Sequence, residues 1–283
     1  MPARLAANNY GKSRVRLFRV TRDGARHSVA DLTVDVALEG AFEAVHREGD
    51  NAAVLPTDTM RNTVYALAKE HPVTPVEAFG RTLVRHFLGA TEHADRARVR
   101  IAAHGWERIA VEGAPHEHSF SRGPAERRMA YVSATREGER YQAGIEELEV
   151  LKTTRSAFEG YIKDRFTTLP ETRDRIFATV VSARWTYERE PADFDAAFHA
   201  VRTAILTTFA GHDSRSVQQT LFAMGEAALA AAPEVGEIHL SLPNRHHLLY
   251  DLARFGMENA NEVFVPTSEP FGLIEATIVR DEG

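Results

Sequence analysis

The sequence contains no cysteine. That excludes a disulfide framework, a cysteine-ligated zinc or iron–sulfur centre and a thiol nucleophile. Lysine is scarce: all but four of the 34 cationic side chains are arginine, spread along the chain rather than clustered. Against 40 acidic residues they leave a formal charge of −6, a balance that argues against sequence-independent nucleic-acid binding. No stretch approaches the ~18 apolar residues that a membrane helix needs. The opening Met1-Pro-Ala-Arg-Leu-Ala-Ala has no apolar core long enough for a secretory signal. Also missing are G-x-G-x-x-G after a strand, G-x-x-x-x-G-K-[ST], G-x-S-x-G and H-E-x-x-H, so dinucleotide enzymes, P-loop NTPases, α/β-hydrolases and zincins lose their usual marks. What remains, 283 residues with 43% apolar and 26% charged side chains, suits a soluble, cytoplasmic globular protein of one large or two modest domains.

Hydrophobic periodicity organises the chain. Between Val29 and Glu39, Ala30, Leu32, Val34, Val36 and Leu38 alternate with Asp31, Thr33, Asp35 and Glu39, the pattern of a strand with one buried face. Arg14–Thr21 is a second strand with a phase slip at Phe18, either a bulge or burial on both faces. Asp23-Gly24 joins the two as a hairpin. Thr57-Asp58-Thr59 supplies N-cap chemistry ahead of a helix over Asn62–Glu70. Val76, Phe79, Leu83 and Phe87 form the apolar stripe of a second helix starting at Pro75. Arg98–Ile109 and Glu126–Thr135 read as strands, with the Gly-, Pro- and His-rich segment Glu112–Pro124 as the loop between them.

The order then recurs. Ile145–Thr153 and Thr179–Tyr187 are strand-like, Asp193–Phe209 and Ser216–Ala232 are helical, and Glu237–Leu252 and Leu273–Arg280 are strand-like. Each half reads ββααββ, with no residue-level identity between the halves. The expected fold class is α+β, antiparallel sheets with helices layered on one face, in preference to a parallel βαβ architecture. The expected division is 8–137 and 138–283.

Two places interrupt the patterns. His116-Glu117-His118 is the tightest cluster among 13 histidines, but two ligands without a third are a weak metal signal, and an exposed loop is the better reading. Ile238, Leu240, Leu242, Leu248, Tyr250 and Leu252 share one strand parity, and Asn244 and His246 sit in the middle of that row. Burying an amide and an imidazole costs free energy unless each is hydrogen-bonded. Either both are satisfied core polars, or Pro243 resets the register, or the break marks a functional site. Helix starts at Thr57-Asp58-Thr59 and Ser216-Val217-Gln218 are ordinary capping chemistry that would also offer N–H groups to an anionic ligand.

A series of short segments, in order from residue 9 to about residue 280, resembles the urate oxidase (uricase) family. They are Asn9-Tyr-Gly-Lys12 with Val15-Arg16, Gly49-Asp-Asn51, Thr57-Asp-Thr59, Asn62-Thr-Val-Tyr65, and Leu148–Lys152. Phe158, Gly160, Asp164, Thr167-Thr-Leu169, Glu171-Thr172 and Asp174-Arg-Ile176 follow. Val217-Gln-Gln-Thr220, Leu242-Pro-Asn-Arg-His246, Asn261-Glu-Val-Phe264 and Gly272-Leu-Ile274 complete the set. Arg61 and Arg245 stand where the family pattern has lysine, and Phe166 where it has tyrosine.

The resemblance implies tandem tunnelling-fold (T-fold) units assembled as a tunnel-shaped homotetramer with active sites at subunit interfaces. It implies oxidation of urate by dioxygen to 5-hydroxyisourate and hydrogen peroxide with no metal or organic cofactor. Arg175 and Gln218 would hold the pyrimidine edge of the purine, the arginine through its planar fork. Phe158 would stack on the ring, backbone groups of Asp58 and Val217 would complete the edge contacts, and Leu169 and Ile274 would wall the pocket. Lys12, Thr57 and His246 match the family's proton relay, in which the threonine hydroxyl, a poor base alone, passes its proton to a neutral lysine amine. Asn244 would clamp dioxygen above the ring. Lys12 and Thr57 are expected to reach the ligand from a neighbouring subunit. Partners other than urate, dioxygen and further copies of the chain are not expected: no nucleic acid and no membrane. The ending Asp281-Glu-Gly283 carries no Ser-Lys-Leu peroxisomal address, and the Ala- and Arg-rich composition suits a bacterial cytoplasmic protein. Competing expectations are a catalytically silent purine-binding relative and a tunnelling-fold enzyme acting on a pterin.

Overall fold

A computed structural model describes residues 3–281. Residues 1–2 and 282–283, on which the readings of the chain's two ends partly rest, lie outside the described residues. The chain divides into two units. One runs to Gly144 and takes in Arg189–Asp195; the other comprises Ile145–Glu188 and resumes at Ala196.

In the first unit the alternation of Val29–Glu39 becomes β2 (Arg26–Gly40), paired antiparallel with β1 (Tyr10–Asp23) across the turn at Gly24. β3 (Ala94–Val111) and β4 (Ala114–Thr135) continue the sheet in the order β1-β2-β3-β4, and β5 (Glu139–Lys152) follows. Leu32, Val34, Val36 and Leu38 face inward, with exposures of 0–2%. The helices that bury them are α2 (Thr57–Glu70) and α3 (Val76–Gly89), preceded by the short α1 (Glu43–Glu48). The predicted stripe is the buried one: Val76, Phe79, Leu83 and Phe87 are all buried. Each such large side chain contributes on the order of 1.5–3 kcal/mol by leaving water. Fully buried Glu77 is neutralised by Arg128, which also donates to Asp195 and so ties the Arg189–Asp195 excursion to this unit.

Three expectations change here. The slip in β1 is a bulge, but between Lys12 and Val15 rather than at Phe18. Phe18 is simply outward, more than half exposed, with its ring edge-on to Trp106 at 6.2 Å. The Glu112–Pro124 loop shrinks to the Glu112-Gly113 turn, because β3 and β4 extend beyond the helix-covered region as a mostly exposed two-stranded ribbon. With neither face buried, no alternation was selected there for the sequence to display. Thr57-Asp58-Thr59 does not cap α2 but forms its first turn, with Pro56 at the N-cap and no side-chain cap.

In the second unit β6 (Phe177–Tyr187), β7 (Val235–Arg245) and β10 (Gly272–Val279) pair antiparallel after β5, in the order β5-β6-β7-β10. α4 (Phe194–Gly211) and α5 (Val217–Ala231) supply the helical layer. Gly225 permits α5 to lie against β10, since a Cβ there would come within 2.7 Å of the Ile278 side chain. The row of like parity read through Leu252 stops early. β7 ends at Arg245, and the chain leaves the sheet to form β8 (His247–Leu249), paired only with β9 (Phe264–Pro266). Leu248 is 56% exposed as a result. The row's inner members, Ile238, Leu240 and Leu242, are fully buried as expected.

Candidate active site

The residues singled out by the sequence fall into two groups, one in each unit. The first unit holds Lys12, Thr57 and Asp58. Lys12 is half-buried on β1 opposite Val36, and its side-chain nitrogen makes no hydrogen bond or ion pair with a described residue. Two residues earlier on the same face, Tyr10 lies opposite Leu38, packs edge-on against Phe42 at 4.9 Å, and accepts a hydrogen bond from the Leu55 N–H at 3.0 Å. That bond fixes the segment entering α2, so Thr57 opens the helix close above the strand that carries Lys12. The Thr57 hydroxyl is exposed. The first-turn N–H groups of α2, unpaired by helix geometry, have no side-chain cap. Asp58 is engaged by Arg61 at 2.7 Å on the solvent side.

In the second unit, several segments converge at one end of the sheet. β6 and β7 meet there, with Ala178 opposite Arg245 and Thr179 opposite Asn244. Gly272 flanks Asn244 on the other side, and Ile274 lies opposite Leu242. Asn244 thus continues the buried row as a half-buried amide, beside Thr179, which is fully buried with a hydroxyl lacking a partner. His246 stands just past the strand. Its carbonyl accepts from Thr267 N–H at 2.8 Å and Thr267 Oγ1 at 3.2 Å, which pins the backbone, and the half-buried ring has no hydrogen bond to a described residue.

Arg175 precedes β6 by two residues. Its half-buried guanidinium lies 5.3 Å from the Phe158 ring centroid and has no carboxylate or other hydrogen-bond partner among the described residues. Burial pushes its pKa down. Phe158 is held by reciprocal backbone bonds to Thr172, 2.8 and 3.1 Å, and the Asp174 carboxylate takes the Thr154 hydroxyl at 2.9 Å and the Arg155 N–H at 2.8 Å. Leu169 is exposed, 53%, and its carbonyl accepts from the Tyr161 hydroxyl. Tyr161 itself stacks on Phe158, centroids 4.8 Å apart and planes at 14°. Sequence reasoning missed Tyr161, because a lone aromatic in an aperiodic connection carries no pattern.

Val217 and Gln218 open α5. Ser216 caps the helix by accepting from Gln219 N–H at 3.2 Å, and the N–H groups of Val217 and Gln218 stay unbonded to described residues. Beneath them is a buried polar network. Thr220 Oγ1 donates to Ser214 Oγ at 2.8 Å and meets His212 Nδ1 at 3.0 Å, while Ser214 Oγ donates to the Ser216 carbonyl at 3.0 Å. Burial, reinforced by the nearby Lys152 charge, holds the His212 pKa down. Ser214 also bridges to the strand-like segment before Phe158 through Ala157 N–H and the Arg155 carbonyl. The helix start and the Phe158–Arg175 pair are therefore tied into one block.

The second unit thus holds the Phe158 ring, a guanidinium with no carboxylate partner among the described residues, two backbone donors at the start of α5, and the Asn244 amide and His246 imidazole at the end of β7. It suits a planar anion rich in carbonyl and ring-nitrogen acceptors. His116 and His118 lie on β4 rather than in a loop, with the His27 ring 5.7 Å from that of His118. Among the described residues no group of three or more His, Asp or Glu side chains is placed to hold a metal ion.

A sequence model of the family described as uricase matches residues 8–133 and 141–275. The chain belongs to the uricase family. The uricase of Arthrobacter globiformis is 47% identical over 277 residues, 98% of this chain and 90% of its own. That of Dictyostelium discoideum is 40% identical over 281 residues, 98% of each. The crystal structure of the Arthrobacter globiformis uricase superposes with a TM-score of 0.95 at 46% identity, covering all of this chain and 97% of that one. The α+β arrangement described above is thus the tunnelling-type fold of the uricases. No helix among the described residues is long and apolar enough to cross a membrane.

Proposed function

We propose that the protein oxidises urate with dioxygen and water to 5-hydroxyisourate and hydrogen peroxide, without a metal or organic cofactor. The observation that carries this reading is Arg175: a half-buried cation without a counter-charge among the described residues, set beside Phe158. Leaving a charge uncompensated costs folding energy, and a urate anion would supply the missing partner. The guanidinium fork and the Gln218 amide read the pyrimidine edge. Phe158 stacks on the purine ring. The N–H of Val217 and the backbone of Asp58 meet the remaining acceptors, with Leu169 and Ile274 as walls.

In this reading Thr57 relays the proton leaving urate to Lys12, His246 exchanges it with solvent, and Asn244 holds dioxygen, then water, above the ring. Lys12, Thr57 and Asp58 come from one copy of the chain and the other residues from its neighbour in a homotetramer. Each of 8–137 and 138–283 serves as one tunnelling repeat. The enzyme works in the cytoplasm.

The test is oxygen uptake and peroxide release on adding urate to metal-stripped protein. Uptake of about one oxygen per urate, with peroxide formed, supports the proposal. Tight urate binding without uptake would make the protein a silent purine binder, and a pterin turned over faster than urate would reassign the substrate.

A further inference from the structure

The bulge in β1 has a stereochemical effect on Lys12. Opposite residues in an antiparallel pair share a face of the sheet. Val15 is opposite Val34, and continuing that pairing backwards without interruption would set Lys12 opposite Ala37, on the outer face away from α2. Instead Lys12 is opposite Val36, on the inner face with Tyr10, the face from which Tyr10 reaches Leu55. One extra residue within Ser13–Arg14 makes the difference, since a one-residue slip sends every side chain on that side of it to the other face.

Two features hold the extra residue. Gly11 lets the strands close just before the bulge: a Cβ there would lie 1.8 Å from the Val36 carbonyl oxygen. Arg14 takes a left-handed conformation, φ 58°, which is strained for a non-glycine residue. Its N–H, released from the ladder, donates to Asp35 Oδ1 at 2.6 Å, and the second Asp35 oxygen accepts from Arg100 Nη1 at 3.3 Å. Asp35 is directly across from the bulge and anchored from the adjacent strand. Without it the Arg14 conformation has no compensation.

We infer that Asp35 is a positioning residue for Lys12: by accepting the Arg14 N–H it locks the bulge that turns Lys12 toward Thr57. This rests on the proposed role of Lys12 in proton transfer. Asp35 itself touches no substrate.

The experiment compares Asp35→Ala, Asp35→Asn and the double variant Arg14→Gly/Asp35→Ala with the wild-type protein. Initial rates are followed with urate, and binding with a purine that the wild type does not oxidise. Asp35→Ala is expected to lower kcat at least 10-fold while KM and purine affinity stay within about twofold. Asp35→Asn keeps an acceptor oxygen and is expected to retain most of kcat. Glycine at position 14 adopts positive φ without strain, so the double variant is expected to recover kcat although the carboxylate is gone. Deleting Ser13 removes the extra residue and closes the ladder with Lys12 still opposite Val36, so the deletion is expected to keep kcat within a fewfold of wild type and to make it insensitive to Asp35→Ala. Wild-type kcat in Asp35→Ala, no recovery in the double variant, or a 10-fold fall when Asp35→Ala is added to the Ser13 deletion would each overturn the inference. Should Asp35→Ala alone fail to fold, Asp35→Asn and the Ser13 deletion carrying Asp35→Ala still decide it: retained kcat in both supports the inference, and loss in both overturns it. An inactive wild type would instead refute the functional reading.

Discussion

Arg175→Ala removes a guanidinium that is half-buried, faces Phe158 and has no counter-ion among the described residues. Two charge-assisted hydrogen bonds to a purine anion, each about 1.5–2 kcal/mol, sum to about 3–4 kcal/mol. That corresponds to a loss of roughly 10²–10³ in affinity. The effect on the empty protein is different in kind. Truncation gives up a cation–π contact of about 0.5–1 kcal/mol and relieves the cost of burying an unpaired charge, so the two nearly cancel. For a chain of this size about 1 kcal/mol shifts Tm by roughly 2–4 °C, and Tm should stay within that range of wild type. Arg175→Lys keeps the charge but not the fork, and should fall between wild type and alanine in affinity. Calorimetric titration with a non-oxidised purine and thermal unfolding of the same samples check both halves. Affinity retained in Arg175→Ala, or a Tm drop of about 10 °C, would show that the guanidinium serves the fold rather than the ligand.

Thr57→Ala should lower kcat more than it raises KM if the proposed relay acts in the transition state; steady-state rates across urate concentrations check this, and an unchanged kcat removes Thr57 from the relay. Thr220→Val deletes the hydroxyl joining Ser214 and His212 beneath the α5 start and should raise KM severalfold by loosening Val217 and Gln218, with Thr220→Ser restoring it. Burial alone would raise the Asp31 pKa, but hydrogen bonds from Trp106 and Arg122 and the Arg16 charge outweigh it and hold the carboxyl below its usual value. A depressed folded pKa means stability fully present above the unfolded value, about 3.9, and lost as pH falls through the lower, folded value. Asp31→Asn should therefore reduce Tm near neutrality and flatten its decline below about pH 4, as read by Tm from pH 7 to 3; an unaltered acid slope would refute the assignment.

Where burial selects residue type, the sequence was readable. One-sided burial wrote the alternation of β2, the α3 stripe and the doubled ββααββ order. Features held by backbone geometry were not readable. The β1 bulge rests on one left-handed residue, Arg14, and a carboxylate on another strand. The outer β3–β4 ribbon buries neither face, and its polar sequence looked like a loop. The apolar row through Leu252 failed because alternation cannot reveal where a strand loses its partner. Asn244 and His246 were local anomalies in an apolar row; of the two, only Asn244 lies on β7 at the end of that row, and His246 stands just past it. Arg175, one among many arginines, and Phe158, in an aperiodic segment, acquire meaning only from family resemblance or from the fold that pairs them.

The scarcity of lysine bears on how the protein can be chemically modified. Of its four lysines, Lys152 donates to the Phe209 and His212 carbonyls, 3.4 and 2.8 Å away, from a half-buried position, and Lys163 is paired with Glu171 at 3.0 Å. Lys12 stands at the candidate site, and Lys69 is exposed at the last turn of α2. Guanidinium groups, which make up nearly all the remaining positive charge, do not react with amine-directed acylating reagents. Polymer attachment or surface immobilisation through lysine therefore has Lys69 and Lys163 as its exposed addresses. If Lys12 carries the proposed proton transfer, a reagent forcing enough to consume it would take turnover with it.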